Sequence, residues 1–445
     1  MDVEGAFFWG AASSAYQVEG SFDADGKGLS VWDVFCQRAG SIRGGASGER
    51  ACDHYRRIGA DVKLMAEIGL GAYRFSVSWP RVIPSGVGKP NAKGLDFYSR
   101  LVDGLLGCGI EPFVTLFHWD FPFALYRQGG WLNPDASKWF AAYAAAVADE
   151  LSDRVRFWIT INEPQSFIID GHLTGVQAPG DRMSTAAAAQ AAHHVLCAHG
   201  RAVQALRDRS RGECRIGYAP VGMVGIPASE GEADVEAARR WMFSMPGRDL
   251  WVNTWWMDPV YGAGYPEDGR RAMGADCPAV ADGDHKLISR PLDFFAFNTY
   301  LGRYVRADGG GQPEVIEPKP GHPRATTGNP LTPACLYWGP LFFHRRYGLP
   351  ILVSENGMAN ADWVAEDGRV HDPQRSDFLR RHIRHLRAAV GDGVPVIGYM
   401  YWSVMDDFEW ENGYEQRYGL IHVDFQSQKR TAKDSAACYR DLMQT

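Results

Sequence analysis

The chain is short of the features that assign a protein at a glance. None of its 8 cysteines belongs to a C-x-x-C pair, so neither a thiolate zinc site nor a dithiol redox motif is signalled. No His-x-x-x-His or HExxH pattern occurs, and ADGKG at 24–28 lacks the hydroxyl residue and spacing of a phosphate loop. No metal and no organic cofactor is therefore expected. No apolar run approaches the roughly 18 residues of a membrane span, and no Asn-x-Ser/Thr sequon is present. The opening MDVEGAFFWG has no basic-then-apolar leader, which points to a cytoplasmic protein with no membrane partner. Positive charge is not in surplus: 46 Lys and Arg against 53 Asp and Glu leave −7, which disfavours a nucleic-acid partner. Neither a fixed-period repeat nor a linker-like tract divides the 445 residues, so one domain over 1–445 is expected.

What is present is an ordinary globular balance, 45% hydrophobic and 22% charged, with 15 tryptophans. Indole faces fill cores, and they also stack on the apolar faces of sugar rings. Short apolar runs at 72–79, 112–119, 155–162, 215–220, 293–300, 350–354 and 396–404 read as strands, and 6–12 reads as an eighth. Between them lie amphipathic helices. Tyr55, Ile58, Val62 and Met65 recur at helical spacing before Gly69; Leu95, Tyr98, Val102 and Leu105 do so before Gly107; Leu379, Ile383, Leu386 and Val390 follow Ser376 as an expected N-cap. Strand and helix in strict alternation imply a parallel sheet, and eight units in this length imply a single (β/α)8 TIM barrel with long loops at the C-terminal face of the strands. The stretch 308–333 reads as one elaborated loop.

Barrel chemistry sits at the carboxyl ends of the strands. The polar residues there are Arg74 and Ser78, His118 and Asp120, Asn162 and Glu163, Asn298 and Tyr300, Glu355 and Asn356, then Trp402, Asp406 and Glu409. Two carboxylates, Glu163 and Glu355, end strands four and seven, nearly opposite each other across a barrel mouth. Paired carboxylates suit glycoside hydrolysis, one neutral to protonate the leaving oxygen and one charged to attack. Arg74 is the cation expected to hold the second one down.

WITINEP (158–164) and LVSENG (352–357) carry a family resemblance, as do FFWGAASSAYQVEG, YRFSVSWPR, FVTLFHWD, FAFNTY and WSVMDDFEWENGYEQRYGL. In this order, over almost the whole chain, the sequence resembles glycoside hydrolase family 1. The resemblance implies a retaining β-glucosidase acting on terminal β-D-glucosyl residues of cellobiose and of aryl and alkyl glucosides, with galactosides and fucosides also open. It implies Glu163 as acid then base and Glu355 as nucleophile, with carboxyl groups roughly 5–5.5 Å apart. It implies that Arg74 and Tyr300 aim Glu355, that Asn162 binds the 2-hydroxyl, and that Asn298 supports the same end. Gln17 and His118 match the positions that bind the 3- and 4-hydroxyls, Trp402 the platform under the ring, and Glu409 with Trp410 the grip on the outer hydroxyls. The partner is then a small β-glucoside or short oligosaccharide; nothing in the pattern sets an oligomeric state.

The departures fall mostly on the leaving-group side. Gln165 stands where tryptophan commonly follows the NEP motif, and Asn329 stands in GNPLTP where another aromatic is common. Asp407 replaces a more usual asparagine, and Tyr418 a phenylalanine. The rival readings are a 6-phospho-β-glucosidase, which Glu409 disfavours because a carboxylate repels phosphate, and a silent sugar-binding relative, which the presence of both glutamates disfavours. His193, His194 and His199 are expected to be buried or capping, His382 and His385 to lie on a solvated helix face, 230–240 to be a surface helix, and Trp251, Trp255 and Trp256 to pack in the core or at a loop rim.

Overall fold

In the computed structural model, residues 7–445 are described. Ala6, the first residue expected in the opening strand, lies outside them. Eight parallel strands form the barrel: β1 Phe8–Ala12, β2 Ala72–Ser76, β3 Glu111–Phe117, β4 Phe157–Asn162, β5 Arg215–Ala219, β6 Phe295–Asn298, β7 Ile351–Asn356 and β8 Val396–Trp402. Each pairs with its sequence neighbours except across β5 and β6, and β1 pairs with β8. The β5–β6 seam lacks a regular ladder. Single bonds span it instead, Asp293 N–H to Ile216 O (2.9 Å), Asn298 N–H to Pro220 O (3.0 Å) and Gly222 N–H to Asn298 O (2.8 Å). Most strands stop earlier than the apolar runs suggested, whereas β4 ends at the expected Asn162 and β7 runs two residues past its expected end, to Asn356. After Ser76 the run continues into a short helix, Trp79–Val82, where Pro80 has no N–H to offer a ladder.

Alternation along the strands sorts side chains into two layers. Ala72, Phe113, Phe157, Ala296, Leu352 and Met400 fill the barrel interior, with the Phe113 and Phe157 rings stacked at 4.3 Å. Tyr73, Val114, Trp158, Phe297, Val353 and Tyr399 face the helices. Those helices are α1 His54–Ile68, α2 Ala92–Gly107, α3 Ala136–Leu151, α4 Thr185–Arg209, α5 Cys335–Tyr347, α6 Pro373–Gly391 and α7 Asp434–Gln444. Gly69 ends α1 at φ 88°, the left-handed conformation a C-terminal cap needs.

Three expectations are corrected. Helix α6 begins at Pro373, with Asp372 as its N-cap, so Ser376 lies inside the first turn; proline at the first helical position costs no hydrogen bond and extends the start. His382 is fully buried rather than solvated, stacked on Phe378 at 3.7 Å, because it falls in phase with Leu379, Ile383 and Leu386. The 308–333 stretch is not all loop: Gly302–Ala307 and Pro313–Ile316 form a hairpin that joins Val224–Pro227 in a small three-stranded sheet. Burial of His193 and His199, core packing of Trp255 and Trp256, and a helix at Glu232–Met242 are as expected.

A buried ion cluster secures the loops of the last two units. Lys433, at the start of α7, donates to Asp362 and Asp406 at 2.6 Å each; Arg375 of α6 binds Asp362 (2.6 Å) and Asp372; Arg417 binds Asp406 (2.6 Å). The Lys433, Asp362 and Asp406 side chains are fully buried. Removing the central cation takes one of its two cationic partners from each of the buried carboxylates Asp362 and Asp406, so Lys433→Met should destabilise the fold by about 3–5 kcal/mol. The check is the midpoint of thermal unfolding at a fixed scan rate; an unchanged midpoint contradicts the role given to this cluster.

Candidate active site

All eleven residues singled out in the sequence come to the carboxyl end of the barrel. Arg74 shares the inward face of β2 with Ala72, Asn298 that of β6 with Ala296, and Trp402 that of β8 with Met400. Asn162 and Glu355 do not follow this alternation. On β4 the inward set is Phe157 and Ile159, while Ile161 faces the helices; on β7 Leu352 is inward and Glu355 is three residues further. Both strands carry a register irregularity just there, between Ile159 and Asn162 and between Val353 and Glu355. An extra residue in one strand re-aims the side chains that follow, and here it turns Asn162 and Glu355 into the mouth. Glu163 follows directly at φ 41°, and Trp119 (φ 78°) and Trp410 (φ 50°) are also left-handed. Three non-glycine residues in this sparsely populated region around one site are backbone strain held by the surrounding structure.

Arg74 is the hub. Buried to 1% exposure, its guanidinium donates to Glu355 Oε1 (2.5 Å), the Ser354 carbonyl (3.1 Å), Asn162 Oδ1 (2.6 Å) and Thr115 Oγ1 (3.0 Å). Tyr300 donates its hydroxyl to Glu355 Oε2 at 2.6 Å. Asn298 Nδ2 donates to Asn162 Oδ1 and Glu163 Oε1, both at 2.9 Å, and Asn298 Oδ1 accepts from Ser354 Oγ at 2.7 Å. Ser166 Oγ donates to Glu163 Oε2 at 2.8 Å. With Asn162 Oδ1 taken by two donors, its amide nitrogen donates to His118 Nε2 (3.1 Å). His118 is then neutral, as its lowered pKa requires, from burial first and Arg74 second. Its Nδ1 is buried without a protein partner.

The two carboxyl groups differ in charge because they differ in partners. Burial and the nearby Glu355 raise Glu163 to about 7, against the bonds from Asn298 and Ser166. Burial raises Glu355 too: Arg74, Tyr300 and Asn298 pull it down without fully offsetting desolvation. One proton shared between neighbouring carboxyls rests on the one without a cation. Asn298 acts on both carboxyls.

Around this centre, Gln17 of the short helix Ala15–Val18 donates to the Phe408 carbonyl (3.0 Å) and to Glu409 Oε2 (3.3 Å). Trp402 and Trp410 lie nearly parallel to the His118 ring at 5.8 and 6.0 Å. Gly357, just past β7, lets the backbone there pass close to β8, since a Cβ would stand 1.8 Å from the Trp402 carbonyl. Burial, Asp407 and Glu411 push the Glu409 carboxyl up. The polar strand-end residues Asn356 and Asp406 are spent elsewhere, on Thr299 and Tyr399 and on the ion cluster. Sequence reasoning missed Thr115, Ser166 and Ser354. A hydroxyl inside an otherwise apolar strand (FVTLF, LVSEN) was the available signal for two of them.

Eight parallel strands whose carboxyl ends bring one buried acid and one arginine-bound carboxylate together define a barrel hydrolase of the two-carboxylate class. Comparison with known proteins makes this specific. The chain belongs to glycosyl hydrolase family 1, whose family description matches residues 2–445. It is 41% identical over 438 residues to beta-glucosidase A of Thermotoga maritima, covering 98% of this chain and 96% of that one. It is 36% identical to the aryl-phospho-beta-D-glucosidase BglC of Bacillus subtilis, covering 99% and 96%. The beta-glucosidase from Thermotoga maritima in complex with glucoimidazole superposes with a TM-score of 0.90 at 40% identity, covering 99% and 98%.

Ser166 meets Glu163 through one hydrogen bond that favours the charged carboxylate. Ser166→Ala should therefore move the Glu163 titration upward from about 7. Difference infrared of the carboxylate band against pH reads this directly, and a downward or absent shift contradicts the assignment.

Proposed function

We propose that the protein is a retaining β-glucosidase that releases terminal β-D-glucosyl units from alkyl and aryl β-glucosides and from cellobiose. The observation that carries the reading is the unequal pairing of the two carboxyls: Glu355 bound by Arg74 and Tyr300, Glu163 free of any cation and raised to about 7. Glu355 attacks the anomeric carbon as Glu163 gives its proton to the departing oxygen, leaving a glycosyl ester on Glu355. Glu163, now charged, takes a proton from water, which opens the ester from the same face and restores both groups; two inversions give net retention. The Asn298 amide, which acts on both carboxyls, supports a spacing suited to direct attack.

Sugar recognition follows from the polar and aromatic groups at this end. The unpartnered Nδ1 of His118 donates to a ring hydroxyl, Gln17 and Glu409 grip neighbouring ones, and Trp402 supplies an apolar face for the ring. Asn162 meets the 2-hydroxyl, a contact that strengthens as charge develops at the anomeric carbon. A plain sugar suits this end better than a 6-phosphorylated one. The largest charge effects on Glu409 come from Asp407, Glu411, Glu355 and Glu163, all acidic, and phosphate binding needs cations instead.

Three measurements follow. Glu355→Ala should lose nearly all hydrolysis, whereas Glu163→Ala should keep partial activity on substrates with good leaving groups; equal losses regardless of leaving group overturn the division of labour. A 2-fluoro glucoside should add its sugar mass to Glu355, and label on another residue removes the nucleophile assignment. Hydrolysis of p-nitrophenyl β-glucoside should exceed that of its 6-phosphate, and the reverse order would favour the phospho-glucosidase reading.

A further inference from the structure

Away from the barrel mouth, the helix layer brings together three side chains whose donor atoms suit a metal ion. His193 and Cys197 stand about one turn apart on α4, and Asp284 opens the short helix Asp284–Ile288 on the way to β6. Among the described residues they form the one group of three His, Cys, Asp or Glu side chains whose ligand atoms all lie within 4.8 Å of one another. His193 Nε2 is 3.0 Å from Asp284 Oδ2 and 3.7 Å from Cys197 Sγ. No paired-histidine spacing marks the group in the sequence. The helix supplies His-x-x-x-Cys, and the carboxylate comes 91 residues after His193.

Three features favour an ion over a plain hydrogen-bonded pair. The first is spacing. In a tetrahedral zinc site with bonds of about 2.0–2.3 Å, neighbouring ligand atoms stand about 3.3–3.7 Å apart. The nitrogen–sulfur contact already has this separation, and the nitrogen–oxygen contact needs to open by only about 0.3 Å. The second is charge. A thiolate, a carboxylate and a neutral imidazole cancel a dication, and a buried site with no net charge avoids the cost of an isolated ion. His193 and Cys197 are buried, whereas the Asp284 side chain keeps 22% exposure and leaves an approach from solvent. The third is support from outside the group. The Tyr265 hydroxyl lies 3.1 Å from His193 Nδ1 and is placed to accept its proton, which frees Nε2 to ligate. The Ala281 N–H donates to Asp284 Oδ2 at 2.8 Å and fixes the carboxylate. Burial holds His193 below its usual value and so keeps the ring neutral, as a ligand must be.

Two opposing effects are identifiable. Burial, with Asp284 beside it, pushes the Cys197 thiol up to about 12; its proton therefore passes to solvent only as a metal–sulfur bond forms. Arg201, further along α4, bears on both Cys197 and Asp284. It opposes a dication while favouring both anionic ligands, and its Nε is bonded to Ser137 Oγ at 3.2 Å. We propose that His193 Nε2, Cys197 Sγ and the Asp284 carboxylate form a zinc-class metal site, with water as the fourth ligand, that ties α4 to the segment leading into β6. A mixed nitrogen, sulfur and oxygen set selects Zn2+ over the harder Ca2+ and Mg2+, which take oxygen ligands. None of the three residues belongs to the site at the barrel mouth, so the inference is independent of the β-glucosidase reading.

The test titrates the full chain, first stripped with EDTA, with Co2+ as a spectroscopic stand-in for zinc. The native protein should bind one Co2+ with an ultraviolet sulfur-to-cobalt charge-transfer band, and Zn2+, the tighter binder, should bleach that band. Cys197→Ser should abolish the band. Asp284→Asn, which keeps the shape of the carboxylate and removes its charge, should weaken binding by about tenfold or more. Zn2+ should also raise the thermal midpoint of the native protein and leave that of Cys197→Ser unmoved. No band at millimolar Co2+, a band that survives in Cys197→Ser, or binding unchanged in Asp284→Asn overturns the inference and leaves the β-glucosidase reading intact. Should Cys197→Ser fail to fold, the Asp284→Asn titration and the native midpoint with Zn2+ decide, and a midpoint that Zn2+ does not raise overturns the inference.

Discussion

The structure turns on a single buried cation. Arg74 stands on the inward face of β2 with almost no exposure, and a guanidinium in that position is tolerable only if its nitrogens find acceptors. They are met by Glu355, the Ser354 carbonyl, Asn162 and Thr115, from three other strands. The arginine therefore fixes the relative positions of β2, β3, β4 and β7 at the mouth of the barrel and decides which of two neighbouring carboxyls carries the negative charge. Asn298 extends the same constraint to the other acid, since its amide donates to Glu163 and to the asparagine that Arg74 already holds.

From this constraint comes the division between a sugar end and a leaving-group end. On the sugar side the groups are polar: His118 with a buried nitrogen that has no protein partner, Gln17 shared between a carbonyl and Glu409, and the Glu409 carboxyl, pushed up by burial, Asp407 and Glu411. On the other side Ser166 and Thr299 are bonded within the protein, and indole and aliphatic surface shares the wall of the cavity beside Glu163 with Asn329 and Arg303. The loops that shape the mouth are anchored at a distance, the β8 loop by Asp406 in the Lys433 cluster and the β5 exit by Gln165.

Much of this was legible in the chain itself. The alternation of short apolar runs with 3.6-period helices dictated a parallel barrel, because a sheet covered on both faces needs continuous apolar strands and crossover helices. The polar residues ending those runs marked the mouth, and Glu163, Glu355 and Arg74 were found there for that reason. The errors share one cause. Reading 308–333 as loop, Ser376 as a cap and His382 as solvated each relied on local composition, and each was overruled by what packs against the segment.

Sequence alone determined the order of the elements, the residues at the strand ends and the pairing of two acids, since periodicity and residue type are properties of the chain. Only the tertiary structure decided where those side chains point and what charge they carry. Strict alternation would have turned Asn162 and Glu355 away, and it is the irregular register of β4 and β7, set by their neighbours across the sheet, that brings them inward. Likewise Gln165 reads as a lost aromatic in the sequence. It becomes a backbone clamp only once Val221, fifty-six residues on, is placed beside it, because a hydrogen bond between distant segments exists only after the barrel has closed.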